Sequence, residues 1–171
     1  MLPLAARAVL IVALALTGAA AAVGSAEPQR GRGGGMMHEG HQEDMQLFHA
    51  LLDHRGAIDR RVTLRPDGIA TVTESDNPAV AKMLQDHVDA MIARVTEARP
   101  IHQRDPLFRE IFRHADRIEA QVERTPKGVR VVETSTDPYV VKLIQAHAEV
   151  VNGFIANGHA EMMKNHEVPP R

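Results

Sequence analysis

Apolar positions recur in the same order twice along this chain. Leu47, Leu51 and Ile58 sit at helical spacing in the stretch 45–58, and Leu107, Ile111 and Ile118 repeat that spacing further on. After the first stretch, Arg61-Val62-Thr63-Leu64-Arg65 alternates polar and apolar as a half-buried strand does. Arg65-Pro66-Asp67-Gly68 and Thr125-Pro126-Lys127-Gly128 then predict tight hairpin turns, because Pro presets one backbone angle and Gly tolerates positive φ. Residues 69–73 and 129–133 are the return strands. Asn77-Pro78 and Asp137-Pro138 supply an N-cap followed by Pro at the first helical position. Long amphipathic helices follow, ending near Glu97 and Asn157.

The two halves are copies. Phe48 and Phe108, His54 and His114, Gly68 and Gly128, His87 and His147 are each 60 positions apart. Between Leu47 and His87, 14 of 41 residues are identical to their partners without a gap; chance gives about two or three. The expected fold class is α+β, with tandem duplicated αββα units. Their hairpins form one four-stranded antiparallel sheet packed with helices about a pseudo-twofold axis. The repeats span about 45–98 and 105–158 of a single domain at 45–164. A Gly/Met/His-rich arm at 27–44 precedes it and a tail at 165–171 follows.

The duplication also copies histidines. His87 falls in the middle of the apolar stripe formed by Val80, Met83, Leu84 and Met91, and His147 lies likewise among Val140, Leu143, Ile144 and Val151. Extending the first helix of each unit through Ile58 and Ile118 puts His54 and His114 on the inward face as well. Neutral imidazole is the commonest metal ligand, and a pseudo-twofold axis can bring copies of one side chain together. The expected ligands are therefore His54, His87, His114 and His147, with His87 and His147 meeting across the axis. Opposed to this is the simpler reading that inward histidines are hydrogen-bonded core residues.

A second signal lies at the ends, where Met36, Met37, His38 and His41 precede the core and His159, Met162, Met163 and His166 follow it. Thioether and imidazole together favour copper, since soft sulfur suits Cu(I). These eight are the expected accessory ligands. His102, in the connector, has no evident partner.

Composition narrows the function further. Ten His and eight Met stand out, while Cys and Trp are absent and there is one Tyr. A formal net charge of −2 offers no basic stripe for nucleic acid. Residues 1–26 read as a secretory signal, with Arg7, an apolar run from Ala8 to Leu16 and small residues before a cleavage expected after Ala26 or Ala22. No other run has the length of a membrane span, so a periplasmic or secreted location is expected. No Gly-Lys-Ser/Thr phosphate loop, Gly-x-Ser-x-Gly elbow, Cys nucleophile or His-Glu-x-x-His helix is present. Glu74, Asp76 and Glu133 are the available acids, but their pattern does not repeat.

The strings Thr-Glu-Ser-Asp-Asn-Pro at 73–78 and Glu-Thr-Ser-Thr-Asp-Pro-Tyr-Val-Val-Lys-Leu-Ile-Gln-Ala-His-Ala at 133–148 resemble an uncharacterised family of bacterial secreted and periplasmic proteins. The resemblance runs from about Met45 into the tail and implies export, with no activity attached. The expected function is non-enzymatic periplasmic transition-metal binding, copper preferred over zinc. Non-covalent haem binding with His87 and His147 as axial ligands is the alternative. A structural or interaction module, with another envelope protein as partner, is the third reading.

Overall fold

The computed structural model describes residues 35–171, with side chains from His41 onward. The signal segment lies outside this range, as do the side chains of Met36, Met37 and His38. Helix α1 (Gly35–Asp53) and a 3₁₀ turn (Arg55–Ala57) lead into strands β1 (Asp59–Arg65) and β2 (Gly68–Glu74), then α2 (Pro78–Thr96). The second copy gives α3 (Pro106–Arg113), a 3₁₀ turn (Ala115–Arg117), β3 (Glu119–Thr125), β4 (Gly128–Thr134) and α4 (Pro138–Asn157). A short α5 (His159–Met162) follows.

Local chemistry explains most of these boundaries. The side chain of Asn77 accepts from the Ala79 backbone at 2.9 Å, and Asp137 does the same for Tyr139 at 2.9 Å, each with Pro as the next residue. Gly158, with φ of 61°, ends α4 in a conformation that suits glycine. Two boundaries differ from expectation. Helix α1 opens at Gly35, within the stretch expected to be an arm, and the Asp44–Arg94 ion pair ties this added length to α2. The first helices also stop early, at Asp53 and Arg113, because each chain tightens into a 3₁₀ turn before its strand.

The sheet order is β1-β2-β4-β3, antiparallel throughout. At its centre Thr71 pairs with Val131, its own copy in the duplication, so the pseudo-twofold axis passes between them. Gly68 and Gly128 lie where the two hairpins meet. A Cβ on Gly68 would stand 1.9 Å from the Glu133 carbonyl oxygen, and one on Gly128 would stand 2.1 Å from that of Thr73. Glycine is required there by close approach of backbones.

The long helices exchange partners. Helix α4 packs over β2 of the first copy, and α2 packs over β4 of the second. The Gln85 amide donates to the carbonyls of Thr125 (2.8 Å) and Gly128 (3.3 Å), while Gln145 donates to those of Arg65 (3.1 Å) and Gly68 (3.3 Å). Each repeat thus closes the other, which makes one domain of the pair.

Packing breaks the symmetry. Helix α4 buries seven residues, from Val140 to Phe154, whereas α2 buries Val80, Ala81, Leu84 and the ion-paired Arg94. The main core joins Leu52, Leu107, Ile111, Leu143, Val150 and Phe154, on the α3–α4 side. The space under the second half of α2 is left incompletely filled. The tail, expected to lie outside the domain, is instead docked. Val168 packs on the main core, Lys142 donates to the Pro170 carbonyl at 3.0 Å, and the Arg171 guanidinium lies 4.8 Å from the Tyr139 ring centre.

Candidate functional site

The under-packed region is a cavity of about 230 Å³ between α1, α2, α4 and the inner face of the sheet. Its walls are apolar, including Met45, Leu84, Val88, Met91, Ile92 and Val151. Set into them are His41, His87, His102 and His147, with Arg60, Glu133, Thr71 and Thr73 toward the sheet. His87 and His147 therefore line one cavity, one from each long helix.

Each of these two imidazoles is braced by the phenylalanine of its own repeat. Phe48 stacks on His87 at 5.7 Å between ring centres, and Phe108 meets His147 edge-on at 5.4 Å. Phe154 stands between, 5.2 Å from Phe48 and 6.4 Å from Phe108. Its counterpart in the first copy is Arg94, so the aromatic cluster has no full symmetry. Phe48 and Phe108 mark the duplication in the sequence, but their place against the histidines of their own repeats is decided by packing.

Both imidazoles are neutral at ordinary pH. Burial takes His87 down to about 4, opposed only by the charge of Asp44. Burial does the same to His147, also to about 4, helped by the positive charge of Arg60 and by His87. Nδ1 of His87 is buried without a hydrogen-bond partner. Such an atom is uncommon, since a buried polar group left without a hydrogen bond costs about 1–3 kcal/mol.

The floor of the cavity carries charges that the duplication does not repeat. Arg60 donates to Thr73 Oγ1 at 2.8 Å and Asn152 Oδ1 at 3.2 Å; its counterpart is Ala120. Burial pushes the Glu133 carboxyl up, with Arg60 opposing, and its counterpart is Thr73. The other two acids are structural. Glu74 accepts from Thr125 Oγ1 at 3.0 Å, and Asp76 pairs with Lys127 at 2.6 Å.

Of the remaining expected ligands whose side chains are described, His41 alone reaches this cavity. His54 lies past the end of α1, exposed, with Nδ1 donating to the Ala50 carbonyl at 2.8 Å. His114 lies past the end of α3, with Nε2 3.3 Å from Glu110 and its ring edge-on to Tyr139. The four-histidine set divides in two: His54 and His114 sit at the C-terminal ends of α1 and α3, away from the cavity, His54 exposed and His114 half-buried against Tyr139. His159 is an exposed partner of Asp53 at 2.9 Å and of His49 at 3.3 Å. Met162 packs on the core and Met163 is exposed.

His166 is not a free ligand. Nδ1 donates to Asp105 at 2.6 Å and Nε2 donates to Glu161 at 3.1 Å, so both ring nitrogens are used. Burial works against its charge, but these two carboxylates outweigh it and raise its pKa. The Glu161 carboxyl falls to about 2 through Lys164, His166 and Asn157. His102 lines the cavity edge-on to Phe108 at 4.8 Å, its pKa lowered chiefly by burial. Of the accessory set, His41 alone lines the cavity; Met36, Met37 and His38 lie outside the described side chains.

Among the described residues no group of three or more His, Asp or Glu is placed to hold a metal ion. No helix among them is long and apolar enough to cross a membrane. Comparison of the chain with protein-family models, curated proteins and solved structures finds no match.

Proposed function

We propose that this protein is an exported, non-enzymatic transition-metal binder, with copper preferred, whose ion is taken into the cavity by the imidazoles of His87 and His147. One observation carries the reading. Two duplicated, neutral imidazoles face one apolar cavity, and Nδ1 of His87 is buried with nothing in the protein to satisfy it. A metal ligand must offer a lone pair, so ligands that are already neutral bind without first losing a proton.

Haem is the second reading, supported by Phe48, Phe108 and Phe154 around the two histidines. Against it, about 230 Å³ is less than the roughly 300–1,000 Å³ of pockets that enclose drug-sized ligands. A porphyrin would have to part α1 from α2. The test is to titrate the protein separately with Cu(I), Cu(II), Zn(II) and haemin, beside His87→Leu and His147→Leu. Leu keeps the volume and removes the lone pair. Metal binding lost in both variants is the expected result. A Soret band that disappears with either histidine would favour haem. Unchanged binding in both variants would overturn the proposal and leave an interaction module with core histidines.

A further inference from the structure

Resting on that reading, we infer that the ion is Cu(I), held once per chain by His87 and His147 together with the thioethers of Met91 and Met45, with His41 as the entry ligand at the cavity mouth. The sequence spells the same spacing twice: His41 and Met45 on α1, His87 and Met91 on α2. Residues four apart on a helix share a face, and all four line the cavity.

The packing of α1 on α2 fixes their relative heights. Asp44 pairs with Arg94, Phe48 stacks on His87, and Leu51 packs with Val80 and Leu84. Numbers rise along α1 as they fall along α2, so the helices are antiparallel. Met45 then lies beside the level of Met91, one turn from His87. His41, exposed, lies a further turn toward the outside.

Donor chemistry selects the ion. Zinc sites use four ligands drawn from Cys, His and carboxylates, and among the described residues no such group of even three exists. Beside imidazole the cavity offers the sulfur of Met45 and Met91 and two carboxylates, of which Asp44 is taken by Arg94 and Glu133 is raised by burial with Arg60 opposing. Thioethers are soft and uncharged, and they suit Cu(I). The charge of the ion points the same way. The Born cost of burying an ion grows with the square of its charge, so a monovalent ion among neutral ligands costs about a quarter of what a divalent one does.

The duplication makes the inference sharper. The counterparts of His41, Met45 and Met91 in the second copy are Ile101, Asp105 and Val151. Asp105 is fully buried and engaged by His166. His147 therefore has no sulfur on its own helix face, and one ion per chain is expected despite the two-fold repeat.

The test uses the full chain and Cu(I) itself, kept reduced and titrated against a chromophoric Cu(I) chelator, with Zn(II) in parallel. One Cu(I) per chain is expected, with sulfur and nitrogen neighbours in X-ray absorption. Met45→Leu with Met91→Leu should weaken Cu(I) binding by about 10–100-fold or more, at least the loss seen for outer-shell changes at metal sites. Leu and Met have nearly equal volume, so the urea midpoint should hold. Should that double variant fail to fold, the wild-type chain grown with selenomethionine decides the matter through a copper–selenium shell. Nitrogen-only coordination, two ions per chain, or full Cu(I) affinity in the double variant would overturn the inference. If His87→Leu and His147→Leu retain full metal binding, the cavity reading has failed as well. If they lose it while the double Met variant does not, only the thioether assignment fails.

Discussion

Acidification from pH 7 to pH 5 perturbs the cavity histidines in a way that can be worked out from their surroundings. Folded, His87 and His147 take up a proton only near pH 4, because the cavity walls exclude the water that would solvate an imidazolium. Unfolded, each takes one up near 6.5. At pH 7 both forms are largely neutral, and the histidines make a difference of only about 0.2 kcal/mol each. At pH 5 the unfolded chain gains about 2 kcal/mol per histidine that the folded chain cannot match. The stability they permit is thus present above pH 6.5 and is lost as pH falls toward 4. The pair together should remove about 3–4 kcal/mol between pH 7 and pH 5, a large part of the stability of a typical domain. Urea unfolding of metal-free protein at pH 7, 6 and 5, beside the His87→Leu/His147→Leu double variant, measures it. The lowered carboxyls of Asp53 and Asp137 act mainly below this window. The raised His166 and Glu133 gain protons on folding and act in the opposite sense. Both are present in the variant too, so the difference between the two slopes isolates the cavity histidines. Equal loss of stability in the two proteins would refute the reasoning.

Gly68→Ala should cost about 2–4 kcal/mol, since its Cβ would meet the Glu133 carbonyl at the β2–β4 seam, while Gly56→Ala, with open space around it, should stay within about 1 kcal/mol. Comparison of urea midpoints checks both. Gln85→Ala and Gln145→Ala should each cost about 0.5–1.5 kcal/mol and increase hydrogen exchange in the hairpin of the other repeat, Gln85 loosening Thr125–Gly128 and Gln145 loosening Arg65–Gly68. The His166 clamp holds fully below pH 6.5 and weakens as pH rises through its raised folded value, so amide exchange in residues 167–171 should speed up on the alkaline side. His166→Asn should remove that pH dependence, and an unchanged profile would refute the role assigned to Asp105 and Glu161.

The duplicated unit, the hairpin turns and the capped starts of the long helices were legible in the sequence because each depends on neighbouring residues. Pro66-Asp67-Gly68 restricts its own backbone, Asn77 and Asp137 bond amides two residues on, and a stripe of apolar side chains marks a buried face. The inward place of His87 and His147 followed from those stripes. Periodicity says which face is buried and not what lies against it, so the exchange of α2 and α4 between hairpins could not be read from it. His114 is half-buried as its stripe suggests, but its neighbours are Glu110 and Tyr139, whereas His54 is exposed; which element covers the end of a helix is not written in the helix itself. His166 takes Asp105, 61 residues away, as its partner, and no local pattern records that. The cavity is the least local feature. It exists because α4 fills its side of the core and α2 does not, a difference in summed side-chain volume across facing elements that only their packing together decides.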